Sequence, residues 1–325
     1  MNKKIIAAAV AATMTSVAFA DIAITGGMQV NYTHTDYDST KTDDSDVFKH
    51  EANLNITGKS GDTTVVMNLG GGSFDNTGNT GGSLSGSDTN QVNVEDLYMS
   101  TKVGDVSIKA GKWDNGDNEL RASSRGQGKF SASTSVAGID LTYNSANVAG
   151  DSIVAATSLQ GVNLSFEQTE TGETIKVSTE VGGVNFKYLG LPVDAANSDR
   201  AYYEVSGTVA GVGVKYGKAE TETGDAIDGN SWMGDFEGAS GAYALSAGQD
   251  VESIELSTSL AGNSVKFRNT SIDDKANEDT SFNKIIVTRP LASGTTFELT
   301  YTDLTDDGST STDSTSLDLE LSVKF

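Results

Sequence analysis

Lys187, Lys215 and Lys266 occupy one place in a repeated pattern: each stands four residues after a glycine and one residue before an aromatic. Ammonium groups at equal positions in successive repeats build a band of positive charge on one face of whatever the repeats form. Lys109, in VSIKAGKW at 106–113, lies at a comparable distance from its own turn, and Lys176 and Arg268 fall on the same alternate positions. Carboxylates on such positions are Glu51, Glu167, Glu204, Asp318 and Glu320. Opposite charges facing one another across water set up a transverse field that sorts passing solutes. The plainer reading is a solvated polar wall, where charges of both signs are ordinary.

Bond-making chemistry has little to work with. Hydrolysis needs a nucleophile or activated water with a base, usually His. The chain has only His34 and His50, which flank the first acidic stretch and stand in no Ser/His or Asp/His motif. Without Cys there is no thiol nucleophile and no thiolate metal site. The Asp-rich segment 305–313, TDDGSTSTD, has oxygen ligands suited to Ca²⁺ but lacks EF-hand spacing. The Gly-rich stretch 69–86 is followed by no GK[ST] at phosphate-loop spacing and reads as a flexible loop. Neither an enzyme nor a bound cofactor or metal is expected.

The elements that carry these residues are hairpins. SVAGIDLTY at 135–143, SLQGVNLSF at 158–166, EVGGVNFKY at 180–188, TVAGVGVKY at 208–216 and SLAGNSVKF at 259–267 share an alternating run, a tight Gly turn and a second run ending in an aromatic. Period two puts Val184, Phe186 and Tyr188 on one side and Asn185 and Lys187 on the other. The last run is the cleanest: Leu317, Leu319, Leu321, Val323 and Phe325 alternate with Asp318, Glu320, Ser322 and Lys324. Tight turns fall at 59–62, 103–105, 137–138, 160–161, 182–183, 210–211, 261–262 and 292–294. Eight hairpins, an opening strand at 22–33 and a final strand at 315–325 make eighteen strands.

Lys3 and Lys4, an apolar stretch and Ala18-Phe19-Ala20 read as a secretory signal over residues 1–20, leaving 21–325 as a single domain. An exported chain without Cys must hold itself together by backbone pairing and burial. The composition carries 22 Lys and Arg against 45 Asp and Glu, a net charge of −23, and two of those bases lie in the leader. Such an acidic chain is not expected to bind nucleic acid, which requires a basic face. Its acids cluster in the low-hydrophobicity stretches between runs, such as 43–46 and 220–228.

A soluble β-sandwich would alternate in the same way. Here, however, short turns and long polar loops alternate, as a transmembrane barrel requires. The aromatics Tyr143, Phe166, Tyr188, Tyr216 and Phe267 also recur at one height above the short turns, as an interfacial girdle does. The expected fold is therefore an all-β, transmembrane antiparallel β-barrel, with short periplasmic turns and long external loops.

With its leader, tight-turn hairpins and final strand closing on Phe325, the chain resembles the Gram-negative general porins. That family usually has sixteen strands, so the count stands at 16 or 18, with 18 given by the turns. The resemblance implies a homotrimer in the bacterial outer membrane, contact with lipid and lipopolysaccharide, and Phe325 as the signal read by the outer-membrane assembly machinery. It also implies that the loop at 114–127 folds inward as a constriction, offering Asp114, Asp117, Glu119, Arg121 and Arg125, although the Pro-Glu-Phe-Gly-Gly-Asp pattern of enteric members is missing. The implied function is passive diffusion of ions and small hydrophilic solutes through a water-filled channel. A weak cation preference is expected from the net charge. A structural or adhesive barrel with acidic, Ca²⁺-binding loops is the alternative.

Overall fold

Strands that alternate apolar and polar residues can close on themselves, with one face dry and the other wet. The computed structural model describes residues 21–38, 44–71, 76–77, 92–114, 125–146, 150–170, 172–192, 199–222, 227–230, 232–233, 242–245, 248–274, 279–291, 294–306 and 313–325. Residues 1–20, read above as a signal, lie outside them. Eighteen strands form the barrel. The first nine are β1 (Asp21–Tyr37), β2 (Ser45–Ser60), β3 (Thr63–Gly71), β4 (Val92–Val103), β5 (Val106–Asp114), β6 (Arg125–Val136), β7 (Ile139–Ala146), β8 (Gly150–Leu159) and β9 (Val162–Thr169). They continue as β10 (Glu173–Val181), β11 (Val184–Leu191), β12 (Arg200–Val209), β13 (Val212–Thr221), β14 (Gln249–Leu260), β15 (Asn263–Asp274), β16 (Thr280–Pro290), β17 (Thr295–Asp306) and β18 (Ser314–Lys324). Each strand pairs antiparallel with the next, and β18 pairs with β1, so the ring has no free edge.

Seven of the eight tight turns read from the sequence lie on described residues and join consecutive strands; of the eighth, at 292–294 between β16 and β17, residues 292 and 293 lie outside the described residues. Four of the seven place a non-glycine residue at positive φ: Ala137 (52°), Gln160 (52°), Ala210 (52°) and Ala261 (51°), each followed by a glycine near 80°. Positive φ at both central residues marks the type I′ turn, whose twist matches that of the flanking strands. The strand count is therefore eighteen rather than sixteen. Where loops were expected, the short strand Asn76–Thr77 pairs back onto β2, and Ile227–Asn230 pairs with Ala242–Leu245 between β13 and β14.

Register sorts the two faces around the whole ring. Ile24, Ile56 and Met67 align on one side of β1–β3, as do Val205, Tyr216 and Ile254 on β12–β14 and Leu256 and Phe267 on β14–β15. Ile24 is 59% exposed and Val205 40%, so this outer face is apolar and open. The buried side chains point the other way, into the lumen. Leu189, Leu191, Tyr202, Ala219 and Val251 on β11–β14 form a small apolar cluster there. Met233 and Trp232 cover it from the β13–β14 connection, and Ile272 flanks it.

Candidate channel lining

All eleven wall charges singled out from the sequence lie on the inner face by register. Lys187 opposes Glu204, Lys215 opposes Glu255, and Glu255 opposes Arg268, making a mixed ladder across β11–β15. Arg268 donates Nη2–H and Nε–H to Glu255 Oε2 at 2.8 and 3.2 Å, and both side chains are only 8% exposed. Lys284, on β16, is the next register partner of Arg268 and is buried too. Lys266 opposes Ser257, and Lys176 opposes Ser165, so these two lie outside the ladder's acid–base pairs.

The acids collect elsewhere. Glu298 on β17 opposes Glu320 on β18, and Glu320 opposes Asn31 on β1. One strand further, Gln29 donates to Glu51 at 3.0 Å. Asp318 accepts a hydrogen bond from Thr33, and Glu298 accepts one from Thr288 at 2.7 Å. Glu167 stands apart on β9. Thus an acidic arc runs from β17 to β2 through the closing seam, with Lys49 on β2 as a base within it, while Lys109, Lys176, Lys187, Lys215, Lys266 and Arg268 lie around the rest of the wall.

A second basic patch stands on β5 and β6, close to half the circumference from β13. Lys109 Nζ lies 3.9 Å from the centroid of Tyr98 and 4.5 Å from that of Trp113. Lys129 Nζ donates to the Trp113 carbonyl at 2.8 Å. Ring faces carry negative potential, so they hold ammonium groups in place without neutralising them.

The most elaborate part of the wall is one that the sequence reading missed. Trp232 Nε1–H lies 2.9 Å from the Tyr202 hydroxyl and 3.0 Å from Glu204 Oε2, and the Tyr202 hydroxyl donates to the same carboxylate at 2.6 Å. Lys215 Nζ sits 4.8 Å from the Trp232 centroid and Arg268 Cζ 5.7 Å. The connection is closed at its base by the Gly248 N–H, which reaches the Glu222 carbonyl at 3.2 Å and Thr221 Oγ1 at 2.9 Å. A signal for this arrangement was present in the sequence. Above the lysines, the inward positions turn apolar at Leu189, Leu191, Ala219, Val251 and Ile272, and an apolar lumen wall needs a cover.

Of the loop at 114–127, Asp114 belongs to β5, and its N–H donates to Asp96 Oδ1 at 3.1 Å. Arg125 begins β6, with Asp114 as its register partner. Asp117, Glu119 and Arg121 lie outside the described residues. The five cassette aromatics face outward: Tyr143, Phe166, Tyr216 and Phe267 are each 39–40% exposed. The next outward residue after each cassette aromatic is Ser145, Gln168, Gly190, Lys218 or Asn269, so the rings end the apolar band on its loop side. There Tyr143 donates to Asp151 at 2.7 Å, and Lys218 bridges Glu220 and Glu252. His34 Nδ1 lies 2.9 Å from Asp46 on the outer face, where Tyr32 donates to the same carboxylate. Phe325 is outward and 69% exposed, beyond the last residue of β18.

The chain matches no protein-family model. It also matches no curated protein. Its structure is similar to OccK9 (OpdG) of Pseudomonas aeruginosa at 12% identity and TM-score 0.64, over 94% of this chain and 98% of that one. OccAB4 of Acinetobacter baumannii aligns over the same shares at 10% identity and TM-score 0.65. The anion-selective porin from Comamonas acidovorans aligns over 94% of this chain and all of its own, at 12% identity and TM-score 0.53. Likeness at such identities is one of fold. By fold, this chain is an eighteen-stranded barrel of the porin type.

Proposed function

We propose that this protein is an outer-membrane porin, through which ions and small hydrophilic solutes diffuse passively. The observation that carries the reading is a closed eighteen-strand ring with an apolar exterior and a charged interior. A ring this wide is not filled by its own side chains and holds water. An exposed apolar belt is stable in lipid and costly in water, which supports a bacterial outer-membrane location. No catalytic step belongs to this reading. A homotrimer packed through the outer faces, contact with lipopolysaccharide at the loop side, and recognition of Phe325 by the assembly machinery extend the proposal.

The selectivity we propose is weakly cationic. The net charge of −23 raises cation concentration at the mouths, and the Glu298–Glu320–Glu51 arc offers cations a path along one wall. Two of the wall acids outside that arc, Glu204 and Glu255, are engaged by Trp232 and Arg268. Planar-bilayer recordings under a salt gradient test both levels of the proposal. Discrete conductance steps with a reversal potential displaced toward the cation value are expected. A displacement toward the anion value would reverse the selectivity and mean that the lysine-rich wall dominates. An absence of steps would overturn the channel and favour a structural or adhesive barrel.

A further inference from the structure

We propose that the inner wall of β4–β6 holds a binding site for a phosphate group, free or ester-linked: Lys109 and Lys102 supply its positive charge and a patch of serines its hydroxyl donors. The site deepens the channel reading above and rests on it. It lies apart from the ladder of β11–β15.

Register builds the patch. Lys109 on β5 stands between Ser100 on β4 and Ser131 on β6, and in the next inward row Ser107 stands between Lys102 and Ser133. Residues two apart along a strand share a side, so the two rows form one block of four hydroxyls and two ammonium groups. All six line a hollow of about 400 Å³ in the wall.

This block differs from the ladder in what stands beside its bases. Lys187 and Lys215 have carboxylates as register partners, whereas Lys109 and Lys102 have serines on β4–β6. The faces of Tyr98 and Trp113, with centroids 3.9 and 4.5 Å from Nζ, fix the Lys109 ammonium and leave it charged. Lys129 adds a second positive charge 5.7 Å from the Trp113 centroid. Asp96, whose field reaches Lys109, accepts the Asp114 N–H at 3.1 Å. Among the described residues, Asp62 on the β2–β3 turn is the one carboxylate that lines the hollow.

A phosphate group brings a charge of about −1.5 to −2 and three strong acceptor oxygens. Ammonium groups act on it as point charges, and each serine can rotate its O–H toward an oxygen. A planar carboxylate is matched better by a guanidinium fork, which this block lacks.

Single-channel recordings in potassium chloride test the site. Millimolar inorganic phosphate or glycerol phosphate should interrupt the wild-type current saturably, and acetate at the same concentration should not. Block by the first assigns the free ion, and block by the second an ester-linked group. Lys109→Gln should raise the half-blocking concentration about tenfold, as one lost charge-assisted hydrogen bond does. The double variant Ser100→Ala/Ser131→Ala, which keeps every charge, should raise it by a similar factor, and Asp62→Asn should lower it. If Lys109→Gln fails to give the heat-shiftable folded band on a gel, the serine variant decides. An unchanged half-blocking concentration in the serine variant would mean that the lysines act through their field alone, which overturns the site. Equal block by acetate, or conducting wild-type channels indifferent to both phosphates, would also overturn it while leaving the porin reading intact. A wild-type protein that does not conduct would overturn both.

Discussion

At the level of single residues, the lumen wall combines charges that water can reach with charges that it cannot. Lys266 and Lys176 belong to the first kind, and Arg268 and Glu255 to the second. Removing one member of a shielded pair leaves the other desolvated without that partner, which costs more than the pair contributes. Glu255→Ala should therefore destabilise the barrel by about 3 kcal/mol. Urea unfolding in detergent micelles would measure it, and Arg268→Met in the Glu255→Ala background should recover part of the loss. Additive losses in the double variant would show that the two groups are not coupled. The equivalent change at Lys266, opposite Ser257, should leave the unfolding midpoint nearly unmoved.

At the level of elements, the hairpin is the repeating unit, and its turn decides its register. Ala210 and Ala261 adopt the left-handed conformation that a Cβ disfavours, whereas the equivalent position at 182 is glycine, with φ of 61°. Asn tolerates that region better than Ala, so Ala210→Asn should stabilise the protein by about 0.5 kcal/mol. Gly211→Ala should destabilise it by about 1 kcal/mol, because Gly211 sits at φ 83°. Both follow from the same unfolding curves, and equal midpoints for the two variants would refute the turn assignment. The cassette also explains why Lys187, Lys215 and Lys266 share a height. A turn of fixed length followed by strict alternation leaves no freedom for the fourth residue beyond the glycine.

At the level of the whole molecule, stability depends on closure. The β1–β18 ladder runs from Gly27–Lys324 to Tyr37–Ser314, and Gly26 and Phe325 extend it by exchanging N–H···O bonds of 2.9 and 3.0 Å. A Cβ on Gly26 would come within 2.6 Å of the Asn53 carbonyl oxygen and 2.8 Å of the Phe325 ring. Gly26→Val should therefore strain the seam and cost about 2 kcal/mol. The readout is a lower urea midpoint for loss of the fast-migrating folded band on unboiled gels. An unchanged midpoint would mean that the seam is looser than the described geometry. The acidic arc spans this seam, so a strained closure should also alter conductance.

Much of this architecture is local enough to be legible in the chain. Alternation determined which side chains face lumen and lipid, because a strand has only two faces and a one-residue slip would reverse every one of them. The Gly turns determined the hairpins and, through their number, eighteen strands. Phe325 was likewise placed on the outer face by parity alone. What the tertiary structure decided depends on contacts between distant segments. Glu298 and Glu320 face each other on consecutive strands, but Glu51 joins them only because β18 returns to β1, so the full acidic arc exists only in the closed ring. Trp232 has no periodic neighbours to announce it, and its role appears only when Tyr202, Glu204 and Gly217 are brought to it from two strands. The sequence held the apolar inner positions that demand a cover, but not which segment would supply it. Local periodicity is encoded residue by residue, whereas the fit of a loop against a wall is a property of the closed barrel.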